Sequence, residues 1–307
     1  MVKTKIYKNF NIDKRHKNSI ILIGNFDGVH LGHQKLFRLT REYKKKYSLK
    51  VGVLTFEPMP KMFFSNKLTN FRISSLEQKI DHLKNLKVDF IINKKFDKKF
   101  SKTKSKIFIK EILGKKLKPK FIFVSNNFRF GNKREGNVRQ LIEFEPYYSY
   151  KVVKPEPLLI DKKIVSSSLI RNYLQNGKLE KANRFLNRKW SIYGKVQKGK
   201  QLGKKIGFPT ANLDIKDYVL ANPGVYSVKV KESNNENYLK GIANLGYRPT
   251  FNGKKILLEV HLFNFSGNLY NKYLTVEFKK FIRKEKKFKS VDQLRKQIKI
   301  DLLKAKK

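Results

Sequence analysis

Two glycine-spaced stretches of the chain carry side chains that can hold phosphate. In the first, Gly24-Asn25-Phe26-Asp27-Gly28-Val29-His30-Leu31-Gly32-His33 follows an apolar run and opens a helical pattern. A helix N-terminus placed after a strand presents unsatisfied N–H groups and the positive end of the helix dipole, and both favour an anion. Gly24, Gly28 and Gly32 let the backbone come close to a ligand. His30 and His33 stand three apart, so one face can carry both imidazoles. This equipment suits nucleotidyl transfer. That reaction needs no covalent intermediate, but it needs donors around an α-phosphate that gains charge as pyrophosphate leaves. Zinc is the other use of two histidines. It requires further ligands, and the chain has no cysteine while His16, His82 and His261 are scattered.

The second stretch, Gly199-Lys200-Gln201-Leu202-Gly203-Lys204-Lys205-Ile206-Gly207-Phe208-Pro209-Thr210-Ala211-Asn212, is basic and glycine-spaced. It lacks the GxxxxGK[ST] pattern of a P-loop and does not read as a strand-to-helix turn. Thr210 and Asn212, two apart, put two neutral oxygens on one face of a strand. Such oxygens suit Mg²⁺ carried in with ATP phosphates. A third segment, Val165-Ser166-Ser167-Ser168-Leu169-Ile170-Arg171, reads as a helix start. Ser167 or Ser168 caps it and leaves N–H groups for phosphate. Arg171, one turn on, is a fork donor within reach of the same ligand. Taken alone, an ordinary cap with a surface arginine explains this segment better; beside His30 and His33 it does not.

These segments need a scaffold. The first half of the chain alternates apolar runs at 19–26, 51–56, 88–92, 121–124 and 152–153 with helical patterns at 32–47, 107–113, 168–176 and 178–187. Ser74 and Glu77 form a capping-box pattern ahead of Ile80, Leu83 and Leu86. Gly114 and Gly177 read as helix stops. The alternation predicts an α/β parallel sheet. After about residue 187 glycines and turns become frequent, and strands at 191–196, 224–230, 238–245, 255–263 and 273–281 lack helices between them, which predicts a small antiparallel barrel. Ser290 and Gln293 then cap a last helix with Val291, Leu294, Ile298 and Leu302 as its apolar positions. The expected division is 1–187 and 188–307.

Composition sets limits. A length of 307 residues suits two cores. Absence of cysteine removes disulfides and fits a reducing compartment. The N-terminal sequence has no apolar segment of secretory type, and no apolar run approaches the roughly 20 residues that span a bilayer, so a soluble cytoplasmic protein is expected. The formal net charge is +47. It can be read as a footprint for nucleic acid or as a codon bias that enriches Lys, Asn, Ile, Phe and Tyr together. The lysines are dispersed along the whole chain, which favours the second reading.

The segment GNFDGVHLGHQKLF resembles the HxGH turn of nucleotidyltransferases, in the extended form found in bacterial bifunctional riboflavin kinase/FAD synthetases. Further segments agree in order: Thr55-Phe56-Glu57-Pro58-Met59-Pro60, Asn127-Phe128-Arg129-Phe130-Gly131, the Ser-Ser-Ser-x-x-Arg run ending at Arg171, the PTAN run 209–212, Gly224-Val225-Tyr226, Asn244-Leu245-Gly246-Tyr247-Arg248-Pro249-Thr250, and Leu258-Glu259-Val260-His261-Leu262. Arg283, Phe288 and the last helix resemble the family's closing segment. The resemblance implies a Rossmann-like FMN adenylyltransferase domain followed by a riboflavin kinase barrel. It implies His30 and His33 as catalytic in the first and Glu259 as general base in the second. It implies nucleotide contacts at Gly24, Phe26, Asp27, Gly28, Gly32, Asn127, Ser167, Ser168, Arg171, Gly199, Gly203, Gly207 and Pro209. Flavin contacts fall at Phe56, Pro58, Phe128, Arg129 and Arg248, and Mg²⁺ at Thr210 and Asn212. ATP, Mg²⁺, riboflavin and FMN are the implied small molecules, with no specific nucleic acid, no membrane, and a monomer or weak homo-oligomer. The chain departs from the family pattern at Met59, where a histidine is usual, at Asn264 and Asn268, where aspartates are, and at Asn271, where glycine is. Two other readings compete: adenylylation or cytidylylation of a different small phosphate with the barrel as a binding module, and nucleic-acid binding through the positive charge.

Overall fold

The computed structural model describes residues 4–65, 68–199, 201–233, 235, 237–250 and 253–306, with backbone only for 202, 248–250 and 253–255. Two compact units emerge: Met1–Leu68 with Leu76–Ser166, and Thr69–Ser75 with Ser167–Lys307.

The apolar runs of the first unit become strands β1 (Lys5–Tyr7), β2 (Ile20–Ile23), β3 (Val51–Glu57), β4 (Phe90–Lys95), β5 (Phe121–Phe123) and β6 (Lys151–Val153). They form one parallel sheet in the order β1-β4-β3-β2-β5-β6. Strands this apolar are covered on both faces. Along β2, Ile20 and Leu22 pack with Val51, Val53 and Phe123, while Ile21 and Ile23 pack with Leu54, Ile92 and Ile122, as a period of two requires. The first face is covered by Phe37 of helix α1 (Leu31–Tyr47) and by Ile80 and Leu83 of α2 (Leu76–Asn85). The second is covered by a π-helix, Phe108–Leu117, through Ile109, Leu113 and Leu117. Gly114 was expected to stop this helix, yet the helix runs on to Leu117 and closes at Lys118, φ +45. Gly114 lies inside it because the Tyr148 ring occupies the place of a Cβ, 2.3 Å from the ideal position. The direction of strand addition reverses between β2 and β5, the switch point at whose carboxyl edge α/β sheets bind ligands.

The second unit is a closed barrel of β7 (Ser191–Gln197), β8 (Ala211–Asp214), β9 (Gly224–Glu232), β10 (Leu239–Thr250), β11 (Gly253–Leu262) and β12 (Tyr273–Lys284), in the order β7-β8-β11-β10-β9-β12. Every paired neighbour is antiparallel. Ile192, Leu213, Val228, Leu245, Leu258, Val276 and Phe278 fill its interior. Helices α3 (Ser167–Gln175) and α4 (Leu179–Leu186) belong to this unit and turn at Gly177, φ +71. Residues 69–75 belong to it too. Asn70 N–H donates to Lys216 O (2.9 Å), Phe71 and Arg72 N–H to Asp217 O (3.0 and 2.8 Å), and the Trp190 indole N–H to Ile73 O (3.0 Å).

Helix α5 (Val291–Lys306) closes the unit, and its start bears out the Ser290/Gln293 pattern. Gln293 N–H donates to Ser290 Oγ and Lys289 N–H to the Gln293 side-chain oxygen, both at 3.2 Å, a reciprocal cap. Of its four expected apolar positions, Leu294 and Ile298 line a cavity, Leu302 packs near Val225 and Ile242, and Val291 is exposed. The architecture is thus the predicted one: a parallel α/β sheet with helices, then a small antiparallel barrel ending in a helix.

Candidate active sites

In the first unit, three of the sequence segments sit on the carboxyl edge of adjacent strands: residues 24–33 after β2, Phe56–Pro58 at the end of β3, and 125–129 after β5. The turn after β2 is tightly folded, with Phe26, Gly28 and Val29 all at positive φ (49°, 76° and 37°). Two non-glycine residues in that region, one of them β-branched, mark stored strain of the kind that collects at functional sites. His30 is the N-cap of α1, and its Nδ1 accepts from the His33 N–H at 3.4 Å. That bond assigns the neutral ring its proton on Nε2. The His30 and His33 rings stack at 3.7 Å between centroids, 19° apart, so both imidazoles share one place as the spacing predicts. Residue 32 between them is glycine, and a Cβ there would stand 3.1 Å from the His30 ring and 3.0 Å from the Val165 carbonyl. Asp27 and His30 are buried.

Lys79 was not singled out, being one of 71 Lys and Arg. It is buried on α2, with Nζ 3.3 Å from Thr55 Oγ1, 3.4 Å from Phe56 O and 3.7 Å from the Glu57 carboxylate. Thr55 Oγ1 donates in turn to Asn25 O (3.3 Å). This ties the end of β3 to the histidine-bearing turn. Phe56 is buried and stacked on Phe100 at 5.6 Å, and Phe128 stacks on Phe130 at 5.6 Å within the same cluster. Pro58 is half-buried, and Asn127 and Arg129 are exposed. Met59, in the position of the family's histidine, is buried. Ser167, Ser168 and Arg171 open α3 in the second unit. There Arg171 Nε donates to Phe71 O (2.7 Å), and its guanidinium lies 3.7 Å over the Phe71 ring.

In the barrel, strand register assembles the second site. Glu259 on β11 stands opposite Asn212 on β8 and opposite Asn244 on β10. Cross-strand partners point to the same face, so a carboxylate lies between two amides. All three line a cavity of about 430 Å³, together with Thr210 and His261. Apolar Val225, Ile242 and Leu257 form its inner wall, and Phe208, Tyr247 and Phe288 supply aromatic rings. Asn212 Oδ1 is buried and has no hydrogen-bond partner among the described residues. The Gly199 backbone passes against the Asn212 amide, a Cβ on Gly203 would stand 2.4 Å from the Phe208 carbonyl and 3.3 Å from Thr210 Oγ1, and Gly207 is at φ +88. The glycine-spaced loop does follow a strand, β7, and holds one short helical turn, Leu202–Lys205, a local difference from the reading of the sequence. Pro209 is exposed. The side chain of Arg248 lies outside the described residues. Half-buried Arg283 and buried Asp301 form an ion pair on the helix side of the cavity, Nη2 to Oδ2 at 2.7 Å. Glu285, on the same rim, is pushed above its ordinary value by desolvation, with Arg283 pulling it back. Asn244 was missed as a site residue because its importance comes from register with β11, which no local pattern reveals.

The departures from the family pattern occupy turns. Asn264 and Asn271 adopt φ +52 and +65, a region asparagine tolerates better than most residues, and Asn268 Oδ1 accepts from Tyr270 N–H at 2.9 Å.

Residues 12–169 match the family model described as FAD synthetase, and residues 186–307 the one described as riboflavin kinase. The bifunctional riboflavin kinase/FMN adenylyltransferase of Buchnera aphidicola subsp. Schizaphis graminum is 42% identical over 95% of this chain and 94% of its own. The protein of that name from Haemophilus influenzae is 40% identical, covering 96% of each chain, and that of Escherichia coli K12 is 36% identical over 93% of this chain and 91% of its own. A crystal structure titled as a macrolide-efflux protein from Streptococcus pneumoniae superposes on 100% of this chain and 99% of its own with a TM-score of 0.84 at 27% identity. Among the described residues no helix is long and apolar enough to cross a membrane. With both segments matched in order and relatives of this identity aligned nearly end to end, the chain belongs to the bifunctional riboflavin kinase/FMN adenylyltransferase family.

Proposed function

We propose that this protein phosphorylates riboflavin with ATP to give FMN and ADP, and adenylylates FMN with a second ATP to give FAD and pyrophosphate. The chemistry divides at residues 187/188, kinase after adenylyltransferase in sequence. The observation that carries the reading is the register that sets Glu259 between Asn212 and Asn244 inside an apolar cavity.

In the kinase step Glu259 takes the proton of the riboflavin 5′-hydroxyl as that oxygen bonds to the γ-phosphorus and the bond to ADP breaks. The apolar wall formed by Val225, Ile242 and Leu257 suits a flat ring system, with Arg248 as a further flavin contact. The backbone at Gly199, Gly203, Gly207 and Pro209 carries the nucleotide. Thr210 and Asn212 offer hard, neutral oxygens that fit a divalent cation, and the buried, unpartnered Oδ1 of Asn212 supports that fit. Bound there, Mg²⁺ would neutralise phosphate charge. In the adenylyl step an FMN phosphate oxygen attacks the ATP α-phosphorus and pyrophosphate departs, so no proton need move. His30 and His33, with the N–H groups at the start of α1, hold the charge that develops. Gly24, Phe26, Asp27, Gly28, Gly32 and Asn127 line the nucleotide path, Ser167, Ser168 and Arg171 serve its outer phosphates, and Phe56, Pro58, Phe128 and Arg129 serve the flavin. The protein acts in the cytoplasm as a monomer or weak oligomer.

The test is an endpoint assay with riboflavin, ATP and Mg²⁺, with flavins separated by chromatography. Wild type yields FAD. His30→Ala accumulates FMN, with FAD formation lowered about 10²- to 10³-fold. Glu259→Ala leaves riboflavin, lowered about 10²- to 10⁴-fold, yet converts supplied FMN. Wild type that leaves both riboflavin and FMN unchanged would sink the assignment.

A further inference from the structure

We propose that His261 is a positioning residue for the phosphorylating site, a role that rests on the reading above. The ladder between β8 and β11 ends at Ala211 opposite Val260. Thr210, the other oxygen offered to the cation, lies just beyond it, and the residue before is Pro209, which has no N–H to extend a ladder. The loop leading to it contains one four-residue helical turn and a left-handed Gly207. Its own backbone bonds end with Phe208 N–H to Gly203 O (2.8 Å), and among the described residues they do not reach the Thr210 end.

His261 does. Its Nδ1 lies 2.8 Å from the Pro209 carbonyl. A carbonyl only accepts, so Nδ1 carries the proton and donates, which assigns the tautomer. The ring also meets the edge of Phe208 at 5.8 Å, 84° between planes. Strand alternation puts His261 on the face of Glu259, two residues away, and both line the cavity with Thr210 and Asn212. One imidazole thus holds the loop on both sides of its Phe208–Pro209 bond. Asn212 is fixed by the ladder and Thr210 by this side-chain bond, so the spacing of the two oxygens depends on His261.

The test uses the full chain with His261→Phe, which keeps a flat ring and removes the donor, and His261→Asn, which returns an N–H close to the place of Nδ1. The first readout needs no ligand: trypsin cleavage after Lys204 and Lys205, followed by peptide mass. His261→Phe is expected to be cut about tenfold faster than wild type, the scale of one lost hydrogen bond, and His261→Asn to return toward wild type. The second is the Mg²⁺ concentration for half-maximal riboflavin phosphorylation, expected to rise about tenfold in His261→Phe and to recover in His261→Asn. Conversion of FMN to FAD by the same preparations stays unchanged. Equal cleavage rates and equal Mg²⁺ dependence in wild type and His261→Phe overturn the proposal. So does parallel loss of both activities, which would mark His261 as general packing. If wild type does not phosphorylate riboflavin, the functional reading fails, and the cleavage comparison still decides whether His261 holds the loop.

Discussion

Gly32 is a position where one methyl group decides geometry. Alanine favours helices over glycine, but here its Cβ meets the Val165 carbonyl at 3.0 Å and the His30 ring at 3.1 Å, so the imidazole has to move. A displacement of about 1 Å in a positioned group costs up to about 100-fold in rate, and here the ring has to give by a few tenths of an ångström. Gly32→Ala is therefore expected to slow FAD formation from FMN by up to about tenfold while riboflavin phosphorylation is unchanged, as followed by flavin chromatography. His16 gives a stability prediction. It is buried, stacked on Phe90 at 4.4 Å, with Nδ1 2.7 Å from the Tyr7 hydroxyl. Asp13 N–H donates to that hydroxyl at 3.3 Å. Burial lowers the pKa of His16, with Arg15 adding to the effect. Below the ordinary histidine value of about 6.5 the unfolded chain takes up a proton that the folded one resists, so stability present above that pH declines as pH falls toward the folded value. Urea unfolding across pH 5–8 should show this decline, and His16→Phe should flatten it.

At the scale of elements, α5 is held to the barrel by a charge pair. Arg283 Nε donates to both Asp301 oxygens (3.0 and 2.8 Å), and Gln297 Nε2 adds a third bond at 3.0 Å. Asp301 is buried and Arg283 half-buried, so Asp301→Ala removes charge-assisted bonds but leaves the arginine within reach of water, and is expected to cost about 1–3 kcal/mol by urea unfolding. The helix itself was legible: Ser290 and Gln293 stand at capping spacing, and the cap forms. Strands β2 to β5 were legible because unbroken apolar runs permit little else. Strand β1 was not, since Lys5–Tyr7 is three residues long and is held by pairing with β4, too short for a period to show. The same limit hid Asn244 and Lys79. Each matters through a partner far away in sequence, Glu259 in one case and Thr55 in the other. The histidine turn was legible because its chemistry is contiguous; in the barrel the spacing of Thr210 and Asn212 was legible too, but Glu259 only as a resemblance, because register brings it to them.

For the whole molecule, the net charge of +47 has a consequence in solution whatever the catalytic chemistry. Dispersed lysines contact polyanions without reading sequence, and such binding falls steeply with salt. Filter binding should show similar affinity for unrelated DNA duplexes at 50 mM salt and a loss of about 10³-fold or more by 200 mM; a preferred sequence that survives physiological salt would revive the nucleic-acid reading. Packing also has its own division. The chain passes between the two units at 68/69, at 75/76 and at 166/167, whereas the division of chemistry we propose falls at 187/188. A fragment covering 188–307 would leave behind the Ile73 carbonyl, and with it the acceptor for the single tryptophan in the sequence. The barrel is therefore not a cassette that a gene could shed or acquire with one cut, and the emission of Trp190 would report whether a transplanted copy has recovered its missing stretch.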